Sequence, residues 1–514
     1  MNGASSMMHT LVNNDVTVCF CNPGTSEISF VGGLDATDKM RGVLCLFEGV
    51  ATGAADGYGR MKDWPAATLL HLGPGLGNGV ANLHNARRAQ TPVVNIVGDH
   101  ATWHLKHDAP LTSDIEAIAG AVSGWYHYSG SARDLPGDTA RAVQASLKPP
   151  GQVATLVLPS DAAWDPGGPP VGRLEPETQR SVPPERVTEI AKVLARGEEV
   201  VLLVGARGFR AEGLRHAAAV GARTGVRVLG DRVNSRMERG AGRYDLVRIP
   251  YPVPQAIALL EGTKHMVLAG ATIPVGFFGY PGQPSRTAPP DCEYHVLAEP
   301  DEDVIGALSM LAEEISATPD PDRAGRYEPP PLPTGDISIE KVWAAVAHLM
   351  PEDTIVSDEA VTSGRSSQAQ TAGARPHDWL NITGGSIGQG LPAALGAAIA
   401  CPDRQVFAME SDGSAMYTLQ GLWSMAREQC QVLTIMFNNG AYRILQGELE
   451  RLAPDATGQT SKAMLDLTQP DIDWVSLSQG MGVEASRANS CEELVDQMRS
   501  ALTNRGPRFI EVLV

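Results

Sequence analysis

The residues best suited to chemistry lie in two runs, QVFAMESDGSAMYTLQGLW from Gln405 and VLTIMFNNGAYRIL from Val432. Asp412 and Gly413 leave one apolar, strand-like run. Asn438, Asn439 and Gly440 leave the next, with a helical pattern at 414–428 between them. A βαβ unit of this kind places neighbouring parallel strands side by side, so Asp412 and Asn439 are expected together at one sheet edge. An Asp carboxylate and an Asn amide oxygen form a hard-oxygen pair suited to Mg2+ or Ca2+, with a backbone carbonyl and a phosphate completing the shell. Gly413 lets the chain approach a diphosphate closely, and a helix opening at Ser414 offers free N–H groups to it. Taken singly, Asp412 is equally an N-cap and NNG equally a turn. The pair at this spacing carries the reading.

A second candidate is Glu48 in VLCLFEGVATGAADGYGRM, directly after a buried run and ahead of a small-residue helix. Among Leu46, Phe47, Val50 and Ala51 a carboxylate costs stability unless something pairs with it. Desolvation is expected to raise its pKa and favour proton exchange with a nitrogen heterocycle. The plain alternative is a first-turn Glu stabilised by the helix dipole. NPGTSE (22–27) follows the first strand. His71 precedes what reads as a Gly-rich loop with Gly73, Gly75, Gly77 and Gly79; such loops are commonly packing turns, and a single His is commonly a core residue. TGGSIGQGLPAALGAA from Thr383 resembles a dinucleotide loop, but no acidic residue ends a strand about 20 positions on, Glu410 coming nearest. His100, His104 and His107 stand at helical spacing with flanking acids, where a zinc site is conceivable.

The elements that must hold these residues are short β-branched runs alternating with Ala-rich helical patterns. Runs begin at Thr17, Val43, Ala67, Val93 and Ala154, then Glu199, Val226, His265 and Glu293, then Thr354, Gln405, Val432 and Arg508. Near-continuous apolar strands separated by helices mean parallel sheets covered on both faces. The expected fold class is α/β, three doubly wound parallel-sheet domains in tandem. Pro-, Gly- and charge-rich stretches at 165–185 and 318–336 read as linkers and bound domains at 1–165, 184–318 and 334–514. The length of 514 residues suits about three domains. Ligands in such sheets bind at the carboxyl ends of strands, where the candidates fall.

Lys plus Arg number 41 against 59 for Asp plus Glu, a net charge of −18 that argues against nucleic acid and anionic membrane surfaces. A single pocket can still be locally positive for a small anion. The start MNGASSMMHT lacks the features of a secretory signal, and the apolar stretch 385–400 is broken by Ser386, Gln389 and Pro392. Seven cysteines without metal spacing read as reduced, buried residues of a cytoplasmic protein. Cys19 and Cys21 are expected on opposite faces of a strand.

On these motifs, and over essentially the whole chain, the sequence resembles the thiamine-diphosphate-dependent enzymes and so implies the thiamine-diphosphate-binding fold. SDG followed by NN stands where that family has GDG followed by NN, with Ser411 in place of the first Gly. The resemblance implies Asp412 and Asn439 as side-chain Mg2+ ligands, Ala441 as a main-chain ligand, and Tyr442 beside the diphosphate, with Gly413 and Ser414 also at the cofactor. EGVATGAADGYGR resembles the family's Glu-and-helix segment. It implies that Glu48 bonds the aminopyrimidine ring and promotes the imino tautomer that takes the thiazolium proton. Thr383–Ala398 implies backbone contacts from Gly385 and Ser386, an apolar wedge at Ile387, and Thr362 reaching the diphosphate.

The likeness is greatest to acetolactate synthase large-subunit homologues of the IlvX type, and benzoylformate decarboxylase is also similar. Thr25 takes the place of the decarboxylase's active-site Ser and His71 that of its His, a hydroxyl and an imidazole able to bind a substrate carboxylate and shuttle protons. The decarboxylase's second His is replaced by Phe277 or Phe278. Arg443, Ile444, Leu445 and Glu448 replace the run and the Trp that acetolactate synthases carry after NNG, and Arg443 could receive a carboxylate. The family uses the His100–His107 segment near the substrate, and the middle segment lacks a flavin pattern. The implied activity is decarboxylation of a 2-keto acid with carboligation, needing thiamine diphosphate and Mg2+. Simple decarboxylation and a non-catalytic cofactor-binding homologue are the alternatives. Active sites across a subunit interface imply a homodimer or dimer of dimers (a homotetramer).

Overall fold

Runs such as VVNIVGD and VATLVLP are apolar at nearly every position because helices cover both faces of the strands they form. In the computed structural model, which describes residues 1–196, 199–456 and 458–514, they make three parallel-dominated α/β sheets. The N-terminal sheet holds β1 (Val18–Asn22), β2 (Arg41–Leu44), β3 (Ala66–Leu70), β4 (Val93–Asp99), β5 (Trp125–Tyr128) and β6 (Val153–Pro159). All are parallel, in the order β2-β1-β3-β4-β6-β5. The middle third supplies β7 (Val200–Val204), β8 (Arg227–Gly230), β9 (Met237–Arg239), β10 (Val247–Arg248), β11 (His265–Ala269) and β12 (Glu293–Ala298). Its parallel sheet runs β10-β8-β7-β11-β12.

The last third supplies β13 (Thr354–Asp358), β14 (His377–Asn381), β15 (Val406–Ser411), β16 (Val432–Asn438), β17 (Glu484–Ala488) and β18 (Arg508–Leu513). Here β17-β18-β16-β15-β13 pair in parallel, while β14 pairs antiparallel with β9. The chain forms two compact units. One is Met1–Glu177 with Pro330–Thr371 and Ile382–Val514; the other is Thr178–Pro329 with Ala372–Asn381.

Why the first and last thirds form one unit is written in their small residues. Helix Glu48–Lys62 lies against helix Gly390–Ala400. A Cβ on Gly57 would strike Ala393 O, and one on Gly396 would strike Ala54 O, so the two backbones touch. A Cβ on Gly53 would stand 2.5 Å from the Pro392 Cβ. The Gly and Ala runs in both segments are what such an approach requires.

Three expectations are corrected. Cys19 and Cys21 share one face of β1, their sulfurs 3.4 Å apart, because side chains two apart on a strand point the same way. The 414–428 helix is two pieces, Asp412–Ala415 and Gln420–Arg427. The glycines after His71 are no loop: Leu72–Ala89 is one helix. Gly75 and Gly79 let that helix pass close to Glu48 and Thr52, since a Gly75 Cβ would lie 3.0 Å from Glu48 Oε1 and a Gly79 Cβ 2.9 Å from Thr52 Cγ2. Among the described residues no helix is long and apolar enough to cross a membrane.

Candidate active site

Glu48 is the first residue of its helix and is only 6% exposed. Its Oε2 accepts from Asn78 Nδ2 at 3.0 Å, and no cation pairs with it among the described residues. The partner the sequence demanded is thus a neutral amide on the following helix, which leaves the acid uncompensated in charge.

At the carboxyl end of β3, His71 is partly exposed, and its Nδ1 lies 2.7 Å from Glu27 Oε2. Glu27 is fully buried, and the same oxygen accepts the Gly24 N–H at 2.8 Å. Burial pushes the Glu27 carboxyl up from its ordinary range, opposed by His71 and the Gly24 N–H. Thr25 is exposed at the start of the short turn Thr25–Glu27.

The segment 383–390 is gripped from both thirds. Asn85 and Ser386 bond reciprocally, Nδ2 to Ser386 O at 2.7 Å and Ser386 N–H to Oδ1 at 3.2 Å. Asn82 Nδ2 donates to Gly49 O at 2.8 Å and to Gly388 O at 3.0 Å, joining Glu48's neighbouring peptide to this segment. Arg60 and Asp56 form a fully buried pair at 2.6 Å. Arg60 also donates to Thr383 Oγ1 at 3.0 Å, and Asp56 accepts from Gln389 Nε2 at 2.6 Å. From below, Glu359 accepts the N–H groups of Gly388, Gln389 and Gly390 at 2.9, 3.2 and 2.7 Å. Burial raises Glu359 to about 7 against those three bonds, and pushes the neighbouring Glu410 well up as well. Gly385 has φ 76°, and Ile387 is half-buried.

Asp412 follows β15 with 1% exposure. Its Oδ1 accepts the Gly413 N–H at 3.0 Å and its Oδ2 the Gly440 N–H at 2.8 Å. Asn439 Oδ1 accepts the Ala441 N–H at 3.2 Å. A Cβ on Gly413 would come within 2.7 Å of the Tyr442 ring, which would have to shift to admit it. Ser411, where a glycine is usual in the motif, is extended at φ −115°, ψ 150° and bonds Ala360 O at 2.9 Å; nothing there requires glycine. Carboxylate, amide and carbonyl oxygens are a donor set for a hard divalent cation.

The structure therefore brings Asp412, Gly413, Asn439, Ala441 and Tyr442 together around the ends of β15 and β16. It links Glu48, through Gly49 and Asn82, to Gly388 beside Ile387. Thr362 is half-buried in the turn after β13. Arg443 is exposed and donates to Gln446 of its own helix at 3.1 Å. His100, His104 and His107 meet edge-on or tilted, with centroids 5.5 and 5.7 Å apart, in a turn that ends in the 3-10 helix Leu105–His107 rather than on one α-helix. In the second unit Phe277 and Phe278 are exposed neighbours, 4.9 Å between centroids.

Sequence reasoning passed over Glu27, Asn78, Asn82, Asn85, Asp56, Arg60 and Glu359. Signals existed. Asn78, Asn82 and Asn85 recur at helical spacing on an otherwise small-residue helix, Asp56 and Arg60 are an i,i+4 pair, and Gly24-x-x-Glu27 is a capping pattern.

Residues 1–118 match the thiamine pyrophosphate enzyme N-terminal TPP binding domain, and residues 363–512 the C-terminal TPP binding domain. The chain belongs to the thiamine pyrophosphate enzymes. Over 100% of its length it is 50% identical to a Mycobacterium tuberculosis protein named "Putative acetolactate synthase large subunit IlvX", covering 99% of that protein. It is 29% identical to benzoylformate decarboxylase of Pseudomonas aeruginosa, covering 99% of this chain and 98% of that one. The solved thiamine diphosphate-dependent 4-hydroxybenzoylformate decarboxylase of Rhodococcus jostii superposes with a TM-score of 0.85 at 25% identity, covering 100% and 99% of the two chains. In this thiamine pyrophosphate enzyme the two binding domains are the two thirds joined by the small-residue helices.

Proposed function

We propose that this enzyme decarboxylates a 2-keto acid and joins the remaining fragment to a second carbonyl compound, giving a 2-acetolactate-type product, with thiamine diphosphate and Mg2+ bound. The observation that carries the reading is Glu48: a buried acid at a helix start, whose side chain accepts from a neutral amide, suits proton exchange with a nitrogen heterocycle. Of domains at 1–165, 184–318 and 334–514, the first would bind the pyrimidine and the last the diphosphate and Mg2+. Seven free cysteines suit a cytoplasmic location.

Asp412, Asn439 and Ala441 O would hold Mg2+, and Gly413, Ser414, Tyr442 and Thr362 would line the diphosphate. Gly385, Ser386 and Ile387 would support the rings, on a segment held by Asn82, Asn85 and Glu359. When bound, thiamine diphosphate supplies a nucleophilic carbon that adds to the keto group and accepts the electron pair left as CO2 departs. Glu48 exchanges a proton with the aminopyrimidine nitrogen. His71, with Nδ1 committed to Glu27, presents Nε2 to the substrate, and the Thr25 hydroxyl shares its carboxylate. The sequence places Glu48 and the metal ligands in a family whose sites form across subunits, so we propose a homodimer or dimer of dimers. Arg443 would receive the second carboxylate of an acidic substrate; unchanged kinetics in Arg443→Leu on every accepted keto acid removes that role.

The His71–Glu27 pair favours a second reading, simple decarboxylation, because an imidazole over the site can protonate the product to an aldehyde. Incubation with thiamine diphosphate, Mg2+ and a panel of 2-keto acids, with CO2 and products followed, separates the two. Glu48→Gln is expected to bind cofactor and lose turnover; full turnover in that variant sinks the proposal.

A further inference from the structure

In the second unit, β11 opens on His265 and β12 on Glu293. The register sets His265 opposite Glu293 and Val267 opposite His295. Glu293 and His295 are two apart and share a face of the sheet. His265 Nδ1 lies 3.3 Å from Glu293 Oε2 and 3.3 Å from His295 Nε2, and His295 Nε2 lies 3.9 Å from Glu293 Oε2. A tetrahedral ion with bonds of about 2.0–2.2 Å separates its ligand atoms by roughly 3.3–3.5 Å. The three atoms already outline one face of such a tetrahedron.

We propose that His265, His295 and Glu293 are a three-ligand site for a zinc-class ion, closed in the metal-free chain by Arg196. Two imidazole nitrogens and one carboxylate suit Zn2+ and its neighbours in the transition series, whereas Mg2+ and Ca2+ take oxygen shells. Glu293 is largely exposed, so the fourth position opens to water.

Arg196 Nη1 stands 2.6 Å from His265 Nε2 and 3.4 Å from Nδ1. A guanidinium only donates, so Nε2 holds the lone pair and the ring proton sits on Nδ1, the ligand atom. Metal entry therefore moves that proton to Nε2 by exchange with water, forms the Nδ1–metal bond, and breaks the Arg196 hydrogen bond. His265 keeps one proton and Glu293 its charge. At the same sheet edge Lys264 pairs with Glu199 at 2.5 Å.

The test takes the full chain, stripped with a chelator, through Zn2+ titration against a chromophoric competitor, with Co2+ as a spectroscopic probe. One zinc ion is expected per chain at this site, with a tetrahedral cobalt spectrum free of thiolate charge transfer. His295→Ala should weaken binding by more than about tenfold, and Arg196→Gln should tighten it by about tenfold. Glu293→Gln, at an exposed side chain, guards against a folding defect and should also weaken binding. Zinc binding that is equal in the parent and Glu293→Gln, or that Arg196→Gln does not tighten, overturns the proposal.

Discussion

The Glu27 carboxylate meets His71 Nδ1 at 2.7 Å while packing over Gly98 of β4, where any Cβ would strike it. One acid thus ties the ends of β1, β3 and β4 and fixes one imidazole nitrogen as donor. Glu27→Gln keeps an acceptor but removes the charge that stabilises a protonated ring. Turnover is expected to fall by about 100-fold with cofactor affinity unchanged, and the pH–rate profile to shift. Steady-state kinetics across pH with parallel binding measurements checks this; an unshifted profile at parental rate would remove His71 from proton transfer.

Asp412, the proposed Mg2+ ligand, accepts two backbone bonds that hold its orientation. Asp412→Ala should abolish Mg2+-dependent retention of thiamine diphosphate, and chelator treatment of the parent should release the cofactor reversibly. Calorimetric titration with and without Mg2+ reads both effects, and metal-independent retention contradicts the assignment.

Glu359 touches no proposed cofactor atom and acts by holding Gly388, Gln389 and Gly390. Charge-assisted bonds are worth about 1.5–3 kcal/mol each in place of a neutral acceptor's smaller share. Glu359→Gln is expected to weaken cofactor binding by about tenfold, whereas Glu359→Asp should recover part of it. Equal cofactor affinity in both variants and the parent would show that the segment needs no anchor there.

Gly396 faces backbone atoms of the helix Glu48–Lys62 that cannot yield. Gly396→Ala should destabilise the chain by about 1–3 kcal/mol. Gly77→Ala, on an exposed helical face with open space beyond it, should be neutral or slightly stabilising. Thermal melts of the two variants give the comparison, and equal melting temperatures would refute the packing role.

Burial, then the nearby Arg239 cation, lowers the His377 imidazole to about 4. An unfolded histidine titrates near pH ~6.5, so between about 6.5 and 4 the unfolded chain binds more protons and stability falls as pH falls. The contribution is complete above about pH 6.5, and roughly 3 kcal/mol of it is gone once pH drops through about 4. Urea midpoints of the parent should drop across this window, and those of His377→Phe should drop less. Parallel curves would place the acid sensitivity elsewhere.

By itself the sequence determined the three sheets, because buried parallel strands must be apolar at nearly every position and leave that trace in VVLLV or VATLVLP. It missed β5 and β17 for the converse reason, WYHY and EASRA being half-buried edge strands with no continuous run, and it missed β9 and β10 because MER and VR are too short to leave one. Asp412, Asn439 and Glu48 were legible because each stands at the end of such a run. Only the tertiary structure decided which groups serve them. Glu27 and His71 meet across 44 positions, and Asn85 and Ser386 across 301. Whether an asparagine of helix Leu72–Ala89 faces a backbone carbonyl or an acid depends on how closely two helices approach. Between the asparagine-bearing helix and Glu48 that distance was set by Gly75 and Gly79, whose purpose shows only when the two helices are seen in contact.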